Sequence, residues 1–181
     1  MRIDLHTHSR VSDGTDTPTT LVMKAFQADL DVIAKEPQTL TATGYGKLIE
    51  KVPAGADWIL ADELGIEPID PTAWGLVQDP LRQVLDQPER IARAEADAIA
   101  DMLEALLLSG LAMQAVKSSR PASGAGHQFS HVWEMEGYGL DTEPPLSHGF
   151  KVAVGTVASC AAWEEALRLD PPVSRVLRNA S

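Results

Sequence analysis

The sequence predicts a mainly α fold: an antiparallel helical bundle with a short N-terminal β-strand and helix appended. Three observations lead there. Ala, Leu and Val dominate the apolar residues and only 5% of the chain is aromatic, a composition that favours helices over sheets. Helix-start signals recur ahead of apolar runs, at Pro37, Asp70-Pro71, Pro88 and Pro121 to Ser123. Period-two alternation is confined to the first residues, where Ile3 and Leu5 share one face and Asp4, His6 and His8 the other.

In chain order, the opening as far as Ala34 reads as strand, loop, helix and a second strand. Ser12, Asp13 and Gly14 make the turn, and Thr17-Pro18 begins a helix carrying Leu21, Val22, Ala25 and Phe26. Pro37 starts a short helix that the Gly44-Tyr45-Gly46 stretch is expected to break, with Lys47 to Leu64 resuming and kinking near Pro53 and Gly55. Trp58, Ile59 and Leu60 are expected in the core. Asp70-Pro71-Thr72 opens a helix through Trp74, Leu76 and Val77 that Pro80 interrupts locally. Pro88 opens the longest helix, from Glu89 to about Lys117. Its second half, nearly all-round apolar, is expected to be central and buried; Glu95, Asp97, Asp101 and Glu104 read as its solvated face. A last helix runs from about Leu146 to Leu169, followed by a short tail after Pro171-Pro172.

The chemistry concentrates between Lys117 and Lys151, which holds three of the five histidines. His127 and His131, four apart on a helix, project from one face. His148 follows His127 by 21 positions, beyond a turn bearing Gly137, Gly139, Pro144 and Pro145, so two antiparallel helices would bring these rings together. Spacing alone leaves three readings open: metal ligands, helix surface, or hydrogen-bonded core.

The block SSRPASGAGHQFSH followed by SHGFKVAVGT, with ADLDVIAKEPQTLTATGYGKLIEKVPAGADWILADELGIEPIDPTAW upstream, closely resembles the sn-glycerol-1-phosphate dehydrogenase family, within the iron-containing alcohol dehydrogenase and dehydroquinate synthase superfamily. The resemblance covers about residues 28–169 and implies a dehydroquinate synthase-like helical domain. It implies that His127 and His148 bind a divalent metal (Zn, Ni or Fe) and that His131 contacts a small phosphorylated substrate. In that family NADH or NADPH reduces dihydroxyacetone phosphate to sn-glycerol 1-phosphate, the cofactor being NAD(P), in a step of phospholipid biosynthesis. Ser119, Arg120 and Lys151 are candidate phosphate contacts, the last two being equally readable as surface charges. The family's third metal ligand, an aspartate in G-Y-G-D, is Lys47 here, and a protonated ammonium neither ligates nor tolerates a cation nearby. No G-x-G-x-x-G turn for a nucleotide occurs in the sequence. The expectation is therefore a metal-binding half that does not transfer hydride alone, with no residue assigned a catalytic or nucleotide-binding role.

Residues 1–34 resemble motif one of the polymerase and histidinol phosphatase (PHP) family, D-x-H-x-H-S then S-D-G, here DLHTHS and SDG. The resemblance implies metal ligation by His6, His8 and Asp13 and hydrolysis of a phosphate ester by metal-bound water. The family's next ligand stretch, T-D-H-D, is replaced by KEPQTL. The expected domains are a PHP-like fragment at 1–34 and a helical metal-binding domain at 35–181. A metal-dependent phosphoesterase and a non-catalytic helical scaffold stand as alternatives to the dehydrogenase reading.

A formal net charge of −11 excludes a nucleic-acid or anionic-membrane partner on electrostatic grounds. The apolar run from Leu103 to Val116, broken by Glu104, Ser109 and Gln114, falls short of a span of about 20 residues, and MRIDLHTHSR has no secretory apolar stretch. A cytoplasmic protein is expected, with self-association into a homo-oligomer as the remaining partner. Cys160, the single cysteine, excludes an intrachain disulfide and reads as buried packing in an Ala-rich run.

Overall fold

The structure, a computed structural model, describes residue 30 and residues 32–169. The chain divides into two units, Met1–Glu36 and Pro37–Ser181. The first is described only at its end, where Ala34 N donates to Leu30 O (2.8 Å) and Glu36 N to Ile33 O (3.1 Å), a closing helical turn where a second strand was expected, its amides bonded locally rather than across a sheet. The expected N-terminal strand and helix, with His6, His8 and Asp13, lie outside the described residues, as does the tail after Leu169.

The second unit is a bundle of helices: α1 Gln38–Ile49, α2 Lys51–Glu63, α3 Pro71–Leu85, α4 Pro88–Ala92, α5 Ala96–Val116, α6 Ala125–Met135 and α7 His148–Leu169. No strand occurs among the described residues. The closest packing is of α3 on α5 and of α6 on α7, and α1 lies on α7. Trp58, Ala73, Val77 and Ala112 form a buried cluster flanked by Ile69, Trp74, Leu76 and Val116, with the Trp58 and Trp74 ring centroids 5.9 Å apart.

Helix α3 starts as its sequence dictates. Extended Asp70 accepts a hydrogen bond from Ala73 N (2.8 Å) with Pro71 in the first helical position, a cap worth about 1 kcal/mol. It then runs straight through Pro80, without the expected interruption.

Two helix boundaries differ from expectation. Gly44-Tyr45-Gly46 does not end α1; the break falls at Glu50, where Pro53, lacking an N–H, cannot bond back to Ile49. The glycines serve packing instead. A Cβ on Gly46 would stand 2.7 Å from Gly149 O, so bare backbone lets α1 and α7 touch. The helix expected from Glu89 to Lys117 is split. Arg90 gathers Gln87 (2.8 Å), Glu95 (2.6 Å) and Asp97 around a corner in which Ala94 takes φ 53°, and α5 begins only at Ala96.

The acids expected to be solvated are therefore partly engaged. Asp101 also accepts from Gln83 (2.9 Å) and Gln87 (2.7 Å). Helix α5 buries one face, Ala98, Ile99, Met102, Ala105, Ser109 and Ala112, while Leu107 and Leu111 remain exposed; it is not buried all round. Its 21 residues are long and apolar enough, by length and composition alone, to cross a membrane, a test that the core helix of a bundle also meets. Cys160 is exposed, on the outer side of α7, and not buried packing.

Candidate metal centre

Helix α6 begins against two carboxylates. Gly124 N donates to Glu50 Oε1 (2.9 Å) and Ala125 N to Asp57 Oδ2 (2.7 Å), so amides that a helix start leaves unpaired are met by negative charge where the helix dipole favours it. Asp57 also accepts from Trp163 Nε1 of α7 (2.8 Å), tying the two helices at that end. The first turn of α6 is thereby fixed, and His127 with it.

Two close backbone approaches set the rings facing one another. Gly126, just before His127, lies against Gly155 of α7: a Cβ on Gly155 would stand 2.3 Å from Gly126 O. Gly149, just after His148, lies against α1, where a Cβ would stand 2.3 Å from Thr43 O. Thr43 and Ser147 hydroxyls hydrogen-bond at 2.9 Å beside it.

The three histidines of the sequence motif converge. Ring centroids are 5.4 Å apart for His127 and His148, 5.5 Å for His131 and His148, and 6.1 Å for His127 and His131. His127 is buried, its Nδ1 3.0 Å from Oε2 of the fully buried Glu50. That contact is short but poorly aligned, and neither atom has a hydrogen-bond partner. His148 Nδ1 lies 2.8 Å from Glu134 Oε1, and His131 Nδ1 lies 3.5 Å from Glu134 Oε2. The His148 ring holds the Glu134 carboxyl below the ordinary carboxylate range, with burial opposing.

Lys51 completes the interior. Its Nζ donates to Ala122 O (2.9 Å) at the entry to α6. Burial pushes its pKa down to about 8 although the Glu50 charge opposes this; the Lys47 charge adds to the lowering. Lys47 itself is half-buried near the end of α1. Of the candidate phosphate contacts, Arg120 is bound to Glu67 (2.7 Å) and Lys151 is buried, so neither is a free surface charge.

Sequence reasoning missed both acids. Glu134 stands three residues after His131 on the same helical face, and Glu50 three residues after Lys47; each i,i+3 spacing was legible. The donor set of imidazole nitrogens and a carboxylate suits zinc, nickel or iron, and the unpartnered buried atoms of Glu50 and His127 are consistent with a site built for polar chemistry.

No family model matches the chain. Curated relatives do, among them several bearing the name glycerol-1-phosphate dehydrogenase (NAD(P)+). That of Bacillus velezensis is 35% identical over 162 residues, 86% of this chain and 41% of the relative. That of Bacillus subtilis is 38% identical over 144 residues, 78% and 36%. That of Archaeoglobus fulgidus is 33% identical over 147 residues, 81% and 39%. The chain thus spans about two fifths of the length of these relatives, and over that stretch its similarity supports the glycerol-1-phosphate dehydrogenase family.

Proposed function

We propose that this chain carries the metal-binding half of an NAD(P)-dependent sn-glycerol-1-phosphate dehydrogenase, which reduces dihydroxyacetone phosphate. The observation that supports this reading is the meeting of His127, His131 and His148 within a stretch similar to those relatives. In this reading His127 and His148 hold a divalent ion and the more exposed His131 reaches the substrate. When bound, the ion supplies Lewis acidity at the carbonyl oxygen and the nicotinamide supplies hydride. The protein's part is to hold the imidazoles against α1 and α7 so that substrate meets fixed donors.

The 181 residues contain no G-x-G-x-x-G turn, and the reading assigns them no hydride transfer by themselves. NADH oxidation with dihydroxyacetone phosphate by the purified chain, lost in His148→Ala, would overturn that part. The compartment that goes with the reading is the cytoplasm, and the partners are the phosphorylated substrate and further copies of the chain. The phosphoesterase alternative rests on His6, His8 and Asp13, outside the described residues, and no structural observation favours it.

Metal content after equilibration with Zn²⁺, Ni²⁺ or Fe²⁺ tests the reading. About one ion per chain is expected, lost in the His127→Ala/His148→Ala pair and retained in His6→Ala/His8→Ala. An apo protein under all three ions would leave the helical scaffold as the better description.

A further inference from the structure

We propose that Glu50 and Glu134 are the positioning carboxylates of the metal centre. Each takes the Nδ1 side of one histidine ligand, Glu50 at His127 and Glu134 at His148, and leaves Nε2 of both rings to hold the ion. This rests on the reading given above, in which His127 and His148 bind the metal and His131 reaches the substrate, and adds what orients the two rings.

The carboxylates stand at the same ring nitrogen in both cases. His148 Nδ1 and Glu134 Oε1 are hydrogen-bonded at 2.8 Å, and His127 Nδ1 lies 3.0 Å from Glu50 Oε2. An ionised carboxylate only accepts, so the nitrogen that faces it carries the proton and the other keeps a free lone pair. Such a partner on the second nitrogen fixes the tautomer of a metal-binding histidine and makes the ligating atom more basic. The ring spacing agrees with a shared ion. Two imidazoles on one ion, at metal–nitrogen distances of about 2.0–2.1 Å in tetrahedral geometry, have centroids about 5 Å apart; those of His127 and His148 are 5.4 Å apart.

Each ring is met from a different element than the one that carries it. Glu50, at the junction of α1 and α2, stands beside the histidine of α6, and Glu134, on α6, holds that of α7. The Glu134 contact is already formed, between side chains that are each 32% exposed. The Glu50 contact is buried and not yet aligned, and its two facing atoms have no other partner among the described residues. Unpaired buried polar atoms are costly, and turning the His127 ring to aim Nδ1–H at Glu50 Oε2 satisfies both at once. The two negative charges also offset that of Lys47, which stands where the resemblance puts an aspartate. One atom each of His131, Glu134 and His148 lies within 4.8 Å of the others, so Glu134 as a direct ligand is the rival arrangement.

The test is the Zn²⁺ affinity of the full chain, by competition with a chromophoric chelator, read together with proton–nitrogen correlation spectra of the labelled histidine rings. In the Zn²⁺-loaded protein His127 and His148 are expected to carry the proton at Nδ1 and the metal at Nε2. Glu50→Gln and Glu134→Gln keep side-chain size and an acceptor, so the fold survives. Each is expected to weaken Zn²⁺ binding by on the order of 10- to 100-fold and to shift the Nδ1 signal of its own histidine. Glu136→Gln, at an exposed acid outside these contacts, should change neither. Undiminished affinity in either carboxylate variant, or metal at Nδ1 of either ring, would overturn the proposal and leave the histidine site standing. Binding abolished in Glu134→Gln but kept in His127→Ala would overturn it in favour of Glu134 as a ligand. A parent chain that binds no Zn²⁺ would overturn the reading of the histidine cluster on which the proposal rests.

Discussion

Glu50 Oε2 and His127 Nδ1 lie 3.0 Å apart in the interior, where α1 passes into α2 and α6 begins. The other oxygen of Glu50 accepts the Gly124 amide, so one carboxylate both caps α6 and stands beside the imidazole that α6 carries. Glu50→Ala removes both contacts and leaves a void, and is expected to destabilise the protein by about 3 kcal/mol. Glu50→Gln keeps the volume and an acceptor for Gly124, and should cost less than about 1.5 kcal/mol. Urea denaturation of the two variants measures the difference. Equal losses would mean that the fold does not depend on what Glu50 caps.

Glycine pairs decide how closely α7 approaches its neighbours. Gly149→Ala would place a Cβ 2.3 Å from Thr43 O, a clash with backbone that no rotamer relieves. A loss of about 3 kcal/mol is expected. Gly110, inside α5, has nothing within 4 Å of its would-be Cβ. Gly110→Ala should therefore stabilise by about 0.5–1 kcal/mol through helix propensity. Thermal melts of the two variants should move in opposite directions.

These glycines also mark where the sequence could and could not be read. Helix starts were legible wherever the signal is local: Asp70-Pro71 capped α3 as its chemistry requires. Gly44-Tyr45-Gly46 looked like a turn because glycine ends helices as often as it lets them cross, and only the partner helix distinguishes the two. The corner at Ala94 depends on Arg90 reaching Glu95 and Asp97, side-chain contacts that periodicity does not encode. At the site the meeting of three histidines was legible, because helix period and one return turn suffice to predict it. Glu134 and Glu50 were missed because an acid on a helix reads by default as solvated, and burial appears only when helices pack.

Cys160 tests one of those misreadings. It lies exposed on α7, while partial burial raises its thiol pKa above the ordinary value. One thiol per native chain should react with a disulfide reagent, slowly at pH 7 and faster as the pH rises through and above the usual thiol range, because the thiolate is the nucleophile. Reaction only after unfolding would place Cys160 in the core.

Lys51 gives the bundle a pH dependence of definite sign. Burial lowers its pKa from 10.5 to about 8, the Glu50 charge opposing and the Lys47 charge adding. Between those values the unfolded chain still binds a proton that native Lys51 has released, so stability rises with pH across this window. Below about pH 8 both states hold the proton and the folded state bears the full cost of the buried ammonium, a difference of roughly 3 kcal/mol across the whole interval. Tyr45 acts in the opposite direction at the upper end. Burial, with the Glu89 charge, raises its pKa above 10, so native Tyr45 keeps a proton that the unfolded chain loses and stability falls with pH from there. Cys160, its thiol pKa raised above the usual 9 by burial, acts in the same direction as Tyr45 from there upward, so the readable window is about pH 8 to 9. Urea midpoints at half-unit steps should climb for the parent and stay flat for Lys51→Met, which keeps the length of the side chain without its proton. A parallel climb in both would assign the slope to another group.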